Sequence, residues 1–132
     1  MEKYRDIIEK AYEVQKNAYA PYSNFFVGAC VKTKDNKYFL GANVENASYG
    51  LTNCAERNAI FQAYSMGYRK KDIESICIVG SGKNLITPCG ACRQVMVELL
   101  EKDTPIVLVT EDKLKITNIE ELLPFSFTDE SL

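Results

Sequence analysis

The chain has 132 residues, 46% of them hydrophobic and 26% charged. That suits one core burying roughly 65–70% of the unfolded surface, and excludes the apolar depletion of a disordered segment. A formal net charge of −2 gives no pull toward phosphate polymers or anionic lipid, so neither a nucleic-acid nor a membrane partner is expected.

The N-terminal stretch MEKYRDIIEKAYEV is charged throughout, without the apolar centre of a signal peptide or the acid-poor character of a transit peptide. No apolar run reaches the ~18 residues of a bilayer span, and a cytoplasmic location is expected. Tyr4, Ile7, Ile8, Ala11, Val14 and Ala18 recur at helical spacing and predict a first helix over 2–18, ended by YAPYSN ahead of a proline. FFVGACVKT at 25–33 and KYFLGANVE at 37–45 read as antiparallel strands joined through Lys34, Asp35 and Asn36. A polar loop over 46–53 leads into a helix carrying Ala55, Ala59, Ile60, Ala63 and Met66, with Thr52 or Asn53 as its cap and Gly67 as its stop. The basic run Arg69, Lys70, Lys71 reads as a solvated helix end, since Asp72 and Glu74 follow at once.

SICIVGS at 75–81 is a buried strand, and Cys92, Val95, Met96, Leu99 and Leu100 form one face of a third helix. TPIVLVT at 104–110 and LKITN at 114–118 are two more strands; the turn between them is too short for a parallel crossover, so they are antiparallel. A short helix over 119–123 precedes the tail PFSFTDESL. The order α-β-β-α-β-α-β-β predicts an α/β fold in one domain, 1–132: a three-layer α/β/α sandwich around a mixed five-stranded sheet.

Five cysteines and no histidine argue against a disulfide framework and exclude any Ser–His or Cys–His nucleophile pair. A zinc site here must use sulfur or carboxylate ligands. Cys89 and Cys92 have the CxxC spacing that lets two thiolates share one tetrahedral ion, and Cys92 falls in the first turn of a helix opened by Pro88. Cys54 stands at another helix start, where the positive end of the dipole favours a thiolate. Three sulfurs would leave the fourth position open, as in a catalytic zinc. Glu56, two residues past Cys54, is then placed to carry a proton. A lone CxxC more often marks a redox pair or half of a structural site, but a thioredoxin-like pair has no use for a third cysteine. Cys30 and Cys77 lie in apolar strand runs and read as core thiols rather than a fourth ligand.

CAER at 54–57 with PCGACRQV at 88–95 resembles the zinc-dependent deaminase signature, with cysteine in place of the histidine of H-x-E. AYAPYSNFFVGA (18–29), GANVENASYG (41–50), TNCAERNA (52–59), PCGACRQVM (88–96) and ELLPFSF (121–127) occur in the order found in the small homotetrameric cytidine deaminases, and the likeness covers nearly the whole chain. The resemblance implies one Zn²⁺ per subunit on Cys54, Cys89 and Cys92, with Glu56 shuttling a proton to the pyrimidine N3 and then to the departing amine. It implies that the backbone N–H of Ala55 holds the base O2 and that the carbonyl of Thr87 accepts from the 4-amino group. Asn43 and Glu45 match a pair that binds the ribose 3′-hydroxyl. Phe25 matches an aromatic beside the base, and Phe127 the ring a neighbouring subunit contributes to the site, although Phe125 stands close by. Arg57 would offset the net negative charge of three thiolates and one zinc ion. Arg93 would do likewise or pair with an acid.

The products implied are uridine or 2′-deoxyuridine and ammonia, and the partners a small nucleoside and further copies of the same chain. Deaminases of blasticidin S, guanine or nucleotides would share the zinc chemistry but not the NVEN segment. A zinc-stabilised module without turnover would have no use for Glu56.

Overall fold

In the computed structural model, which describes residues 2–132, the helices are α1 (Arg5–Gln15), α2 (Ala55–Ser65), α3 (Gly90–Leu99) and α4 (Ile119–Leu122). The strands are β1 (Val27–Thr33), β2 (Tyr38–Ala42), β3 (Ile73–Gly80), β4 (Ile106–Val109) and β5 (Leu114–Thr117). They form one sheet in the order β2-β1-β3-β4-β5. β3 and β4 run parallel because α3 crosses between them, while β1–β2, β1–β3 and β4–β5 are antiparallel.

Strand alternation divides the apolar side chains between two faces. Val27, Ala29 and Val31 of β1, Ile76 and Ile78 of β3, and Ile106 and Leu108 of β4 pack against Ala59, Ile60 and Ala63 of α2 and Met96 of α3. Cys30, Cys77, Val79, Val107 and Val109 point the other way, onto Tyr4, Ile7 and Ala11. The result is the α/β/α sandwich that the element order predicts. Cys30 and Cys77 sit opposite one another across β1 and β3, both fully buried. Burial pushes the Cys30 thiol up to about 12 and raises that of Cys77 as well; both are inert core residues, as expected.

The seat of α2 depends on a glycine. A Cβ at Gly41 of β2 would lie 2.5 Å from the carbonyl oxygen of Ala55 and 2.6 Å from the amide nitrogen of Ala59. With hydrogen there instead, the helix backbone rests directly on the strand, and this fixes the first turn that carries Glu56.

Several boundaries differ from the pattern-based expectation. The first helix begins as a 3-10 turn over Glu2–Tyr4 and ends at Gln15 rather than 18. Tyr19 exchanges hydrogen bonds with the 43–45 segment, its N–H donating to Asn43 and its carbonyl accepting from Glu45, so the chain must leave the helix to reach that pairing. β1 starts at 27, not 25, because Asn24 has a left-handed φ of 57° and the amides of Phe25 and Phe26 donate to the Ser23 and Ser81 hydroxyls instead of a ladder. β2 stops at 42; Val44 continues only as isolated bridges to Tyr19 and Asn53. Met66, expected on the buried face of α2, follows its last turn and is 67% exposed. Gly67 ends that helix at φ 95°, as anticipated. Arg69 closes the end, donating to the carbonyls of Tyr64 and Tyr68, where a cation suits the negative end of the dipole.

Candidate active site

Neither Thr52 nor Asn53 caps α2. Asn53 is drawn into extended pairing with Val44, the Thr52 hydroxyl accepts from the amide of Asn46, and the cap position falls to Cys54, with φ −78° and ψ 154°. α3 begins the same way. Cys89 is its cap, and its sulfur accepts from the amide of Cys92 at 3.5 Å. Two helix starts therefore present thiols to one another, and helix starts stabilise negative charge.

The Sγ atoms of Cys54, Cys89 and Cys92 all lie within 4.8 Å of one another. A tetrahedral zinc with metal–sulfur bonds of ~2.3 Å requires sulfurs about 3.8 Å apart. Cys54 and Cys89 stand 3.8 Å apart, so the donor set fits one such ion by both chemistry and spacing. Cys92 is buried, Cys54 half-buried and Cys89 exposed, which leaves the group open on one side. The Cys92 thiol and then the Arg57 guanidinium draw the Cys54 thiol well below its ordinary value. Cys92 moves upward as the partner that keeps its proton. Arg57 donates to the Cys54 sulfur at 3.3 Å, and its own pKa rises chiefly through that bond.

Glu56 is 4% exposed. Burial, reinforced by the negative charge at Cys54, pushes its carboxyl up to about 7, the range in which a carboxyl both takes and gives a proton at neutral pH. Ala55 is fully buried between Cys54 and Glu56.

Asn43 and Glu45 both hold the segment leading to Phe25. The Asn43 side chain accepts from the amide of Val27 and donates to the carbonyl of Phe25, each at 2.9 Å. Glu45 accepts from the amides of Tyr22 and Ser23 and from the Ser23 hydroxyl, and that hydroxyl first, then the amides, holds its carboxyl below the usual range. Phe25 packs beside Gly80 and Gly82, whose added Cβ atoms would meet its ring at 3.2 and 3.3 Å. Gly80 ends β3 and Gly82 lies on the loop that runs on to Thr87, so two glycines ease the ring's partial burial, a dependence that no periodicity reveals.

Arg93 neither touches the sulfurs nor pairs with an acid among the described residues. Its guanidinium donates to the carbonyls of Pro88 (2.7 Å) and Leu122 (2.6 Å) and to the Thr87 hydroxyl (3.0 Å). The tail rings are exposed, Phe127 at 61% and Phe125 fully. Gln94, which sequence reasoning passed over, donates to the carbonyl of Phe127 at 2.9 Å; an exposed helix glutamine carries no signal for such a distant acceptor. A cleft of about 680 Å³, beside Glu98, Glu101, Asp103 and Phe125, is lined by neither the three cysteines nor Glu56.

Comparison with known proteins agrees with this arrangement. Residues 1–108 match the family model described as the cytidine and deoxycytidylate deaminase zinc-binding region. The chain is 49% identical over 128 residues to a cytidine deaminase of Halalkalibacterium halodurans, covering 96% of this chain and 95% of that one. It is 43% identical over 133 residues to a probable cytidine deaminase of Dictyostelium discoideum, covering 99% and 88%. The crystal structure of a cytidine deaminase from Burkholderia pseudomallei superposes with a TM-score of 0.89 at 50% identity, over 92% of this chain and 97% of that one.

Proposed function

The chain belongs to the cytidine and deoxycytidylate deaminase family, and we propose that it converts cytidine and 2′-deoxycytidine to uridine and 2′-deoxyuridine, releasing ammonia, as a step of pyrimidine salvage. The observation that carries this reading is a buried carboxylate, Glu56, beside a three-sulfur group spaced for one ion. Zinc held by Cys54, Cys89 and Cys92 supplies Lewis acidity, lowering the pKa of water to near neutrality.

The remaining chemistry belongs to side chains and backbone of this chain. Glu56 takes one proton from the attacking water and gives it to N3, where it stays. It then passes the second to the 4-amino group, so that the new C4–O bond replaces the C4–N bond and ammonia departs. The N–H of Ala55 donates a hydrogen bond to O2, and the carbonyl of Thr87 accepts one from the 4-amino group. Arg57 offsets the negative charge of the sulfur group. Phe25 lies against the base, while Asn43 and Glu45 take the ribose 3′-hydroxyl with the donor and acceptor positions their backbone partners leave free.

Incubating zinc-loaded protein with cytidine and following its long-wavelength absorbance tests the assignment. Steady loss with release of ammonia is expected. An unchanged spectrum overturns it, and faster loss with the 5′-phosphate than with the nucleoside would move the substrate to deoxycytidylate.

Asn43→Ala is expected to cost more than Glu45→Ala, because it also leaves the buried amide of Val27 unpaired. Such a loss destabilises by about 1–3 kcal/mol, visible as a lower urea midpoint beside a raised KM. Glu45→Ala should raise KM with little change in that midpoint. A wild-type KM in both variants would remove the pair from the ribose site.

The protein is read as one deaminase domain that assembles as a homotetramer in the cytoplasm. Exposed Tyr22, Tyr49, Leu51 and Phe127 supply the aromatic and aliphatic area that interfaces favour. Cys54, Cys89 and Cys92 must stay reduced to hold zinc, which suits a reducing compartment. If Phe127 completes a neighbour's site, truncation after Pro124 raises KM while the zinc content holds. Full activity at a sedimentation mass near that of one chain, 14.9 kDa, would defeat the tetramer.

A further inference from the structure

Among the described residues, Arg93 is the one side chain that bonds both the loop entering α3 and the last residue of α4. Its Nε and Nη2 take the Pro88 carbonyl and the Thr87 hydroxyl, and Nη1 takes the Leu122 carbonyl. Three acceptors at 2.6–3.0 Å around one planar cation define the orientation of the Thr87–Pro88 peptide much more tightly than a point charge would. The carbonyl of Thr87 itself receives no hydrogen bond from the described residues, so its direction is fixed through its neighbours. One residue on, Gln94 holds the carbonyl of Phe127. The helix turn that carries Cys92 thus grips the tail at both ends of the 122–127 stretch.

We propose that Arg93 is a positioning residue for the deamination: it aims the Thr87 carbonyl at the 4-amino group of the substrate and ties that loop to the C-terminal segment. The inference rests on the deaminase reading above. Its energetic content is discrimination, because the aimed carbonyl serves a substrate with an N–H at C4 and does nothing for a product with an oxygen there.

The test uses zinc-loaded Arg93→Lys, with Arg93→Ala as a second variant; lysine keeps the stem and charge but reaches only one of the three acceptors. Removing hydrogen bonds made by a charged donor is expected to lower kcat/KM for cytidine by about 10- to 100-fold. Zinc content should stay that of the wild type. Uridine binding, measured by calorimetry, should weaken by less than about threefold, since the product offers no proton to Thr87. Thr87→Val removes the hydroxyl partner, and adding it to Arg93→Lys should cost less than the product of the two single losses. Equal losses for cytidine and uridine, loss of zinc, or strictly multiplicative effects would make Arg93 a merely structural residue and overturn the proposal. No turnover by the wild-type protein would instead defeat the deaminase reading, so the two failures are distinct.

Discussion

Replacing Glu56 with glutamine is expected to lower kcat by about 10²- to 10⁴-fold while leaving metal content and fold intact. The carboxylate is 4% exposed and lies in the first turn of α2, one residue past fully buried Ala55. An amide of nearly the same shape keeps the packing but cannot take a proton from water and return it to N3 and the amine. Burial raises the carboxyl to about 7, toward ambient pH, which suits both halves of the proposed transfer. Because the amide still accepts and donates hydrogen bonds, KM should change far less than kcat. Steady-state kinetics beside metal analysis of one preparation checks this. A glutamine variant with wild-type kcat would remove Glu56 from the proton path and leave the transfer to another group.

Cys89→Ser should abolish turnover by a different route, through loss of the ion. Serine stays protonated near neutral pH and is a poor substitute for a thiolate on zinc. Cys89 is the exposed member of the three, so the weakened site lies on the side a chelator reaches. Dialysis against a chelator is expected to strip the variant to below about 0.1 zinc per chain, against about one retained by the wild type. Since a bound ion stabilises only the folded state, the variant should also melt at a lower temperature than zinc-loaded wild type, and close to wild type from which zinc has been removed. Retention of one zinc with activity after this substitution would exclude Cys89 as a ligand. Cys30→Ser, in the core on the opposite face of the sheet, should leave the zinc in place, which separates ligand loss from thiol loss in general.

The chemistry of the site was legible in the chain because it rests on short spacings. Two residues between Cys89 and Cys92, and one between Cys54 and Glu56, read the same in a string as on a helix, and Pro88 marks where the second helix opens. The helices, the strands and the antiparallel final pair follow from periodicities of 3.6 and 2, a competition among neighbours within one or two turns. Cys30 and Cys77 were legible as core thiols for the same reason, as each stands in an apolar strand run.

What the string leaves open is which of several capable partners takes a given hydrogen bond. Thr52 and Asn53 are good caps by type, yet pairing between Val44 and Asn53 leaves the cap position to Cys54. Helix α1 has the pattern to run to residue 18, but the bonds of Tyr19 to Asn43 and Glu45 end it at Gln15. Arg93 could equally have neutralised sulfur or met a carboxylate. Its three acceptors come from residues 87, 88 and 122, and the packing of α3 against α4 brings them within reach of one guanidinium. Cys54 and Cys89, 35 residues apart in the chain, meet because the sheet order β2-β1-β3-β4-β5 sets the starts of α2 and α3 side by side. Residue type sets what a group can bind within its own turn, whereas the choice among distant donors and acceptors is made by the loop entropy and packing of the whole chain.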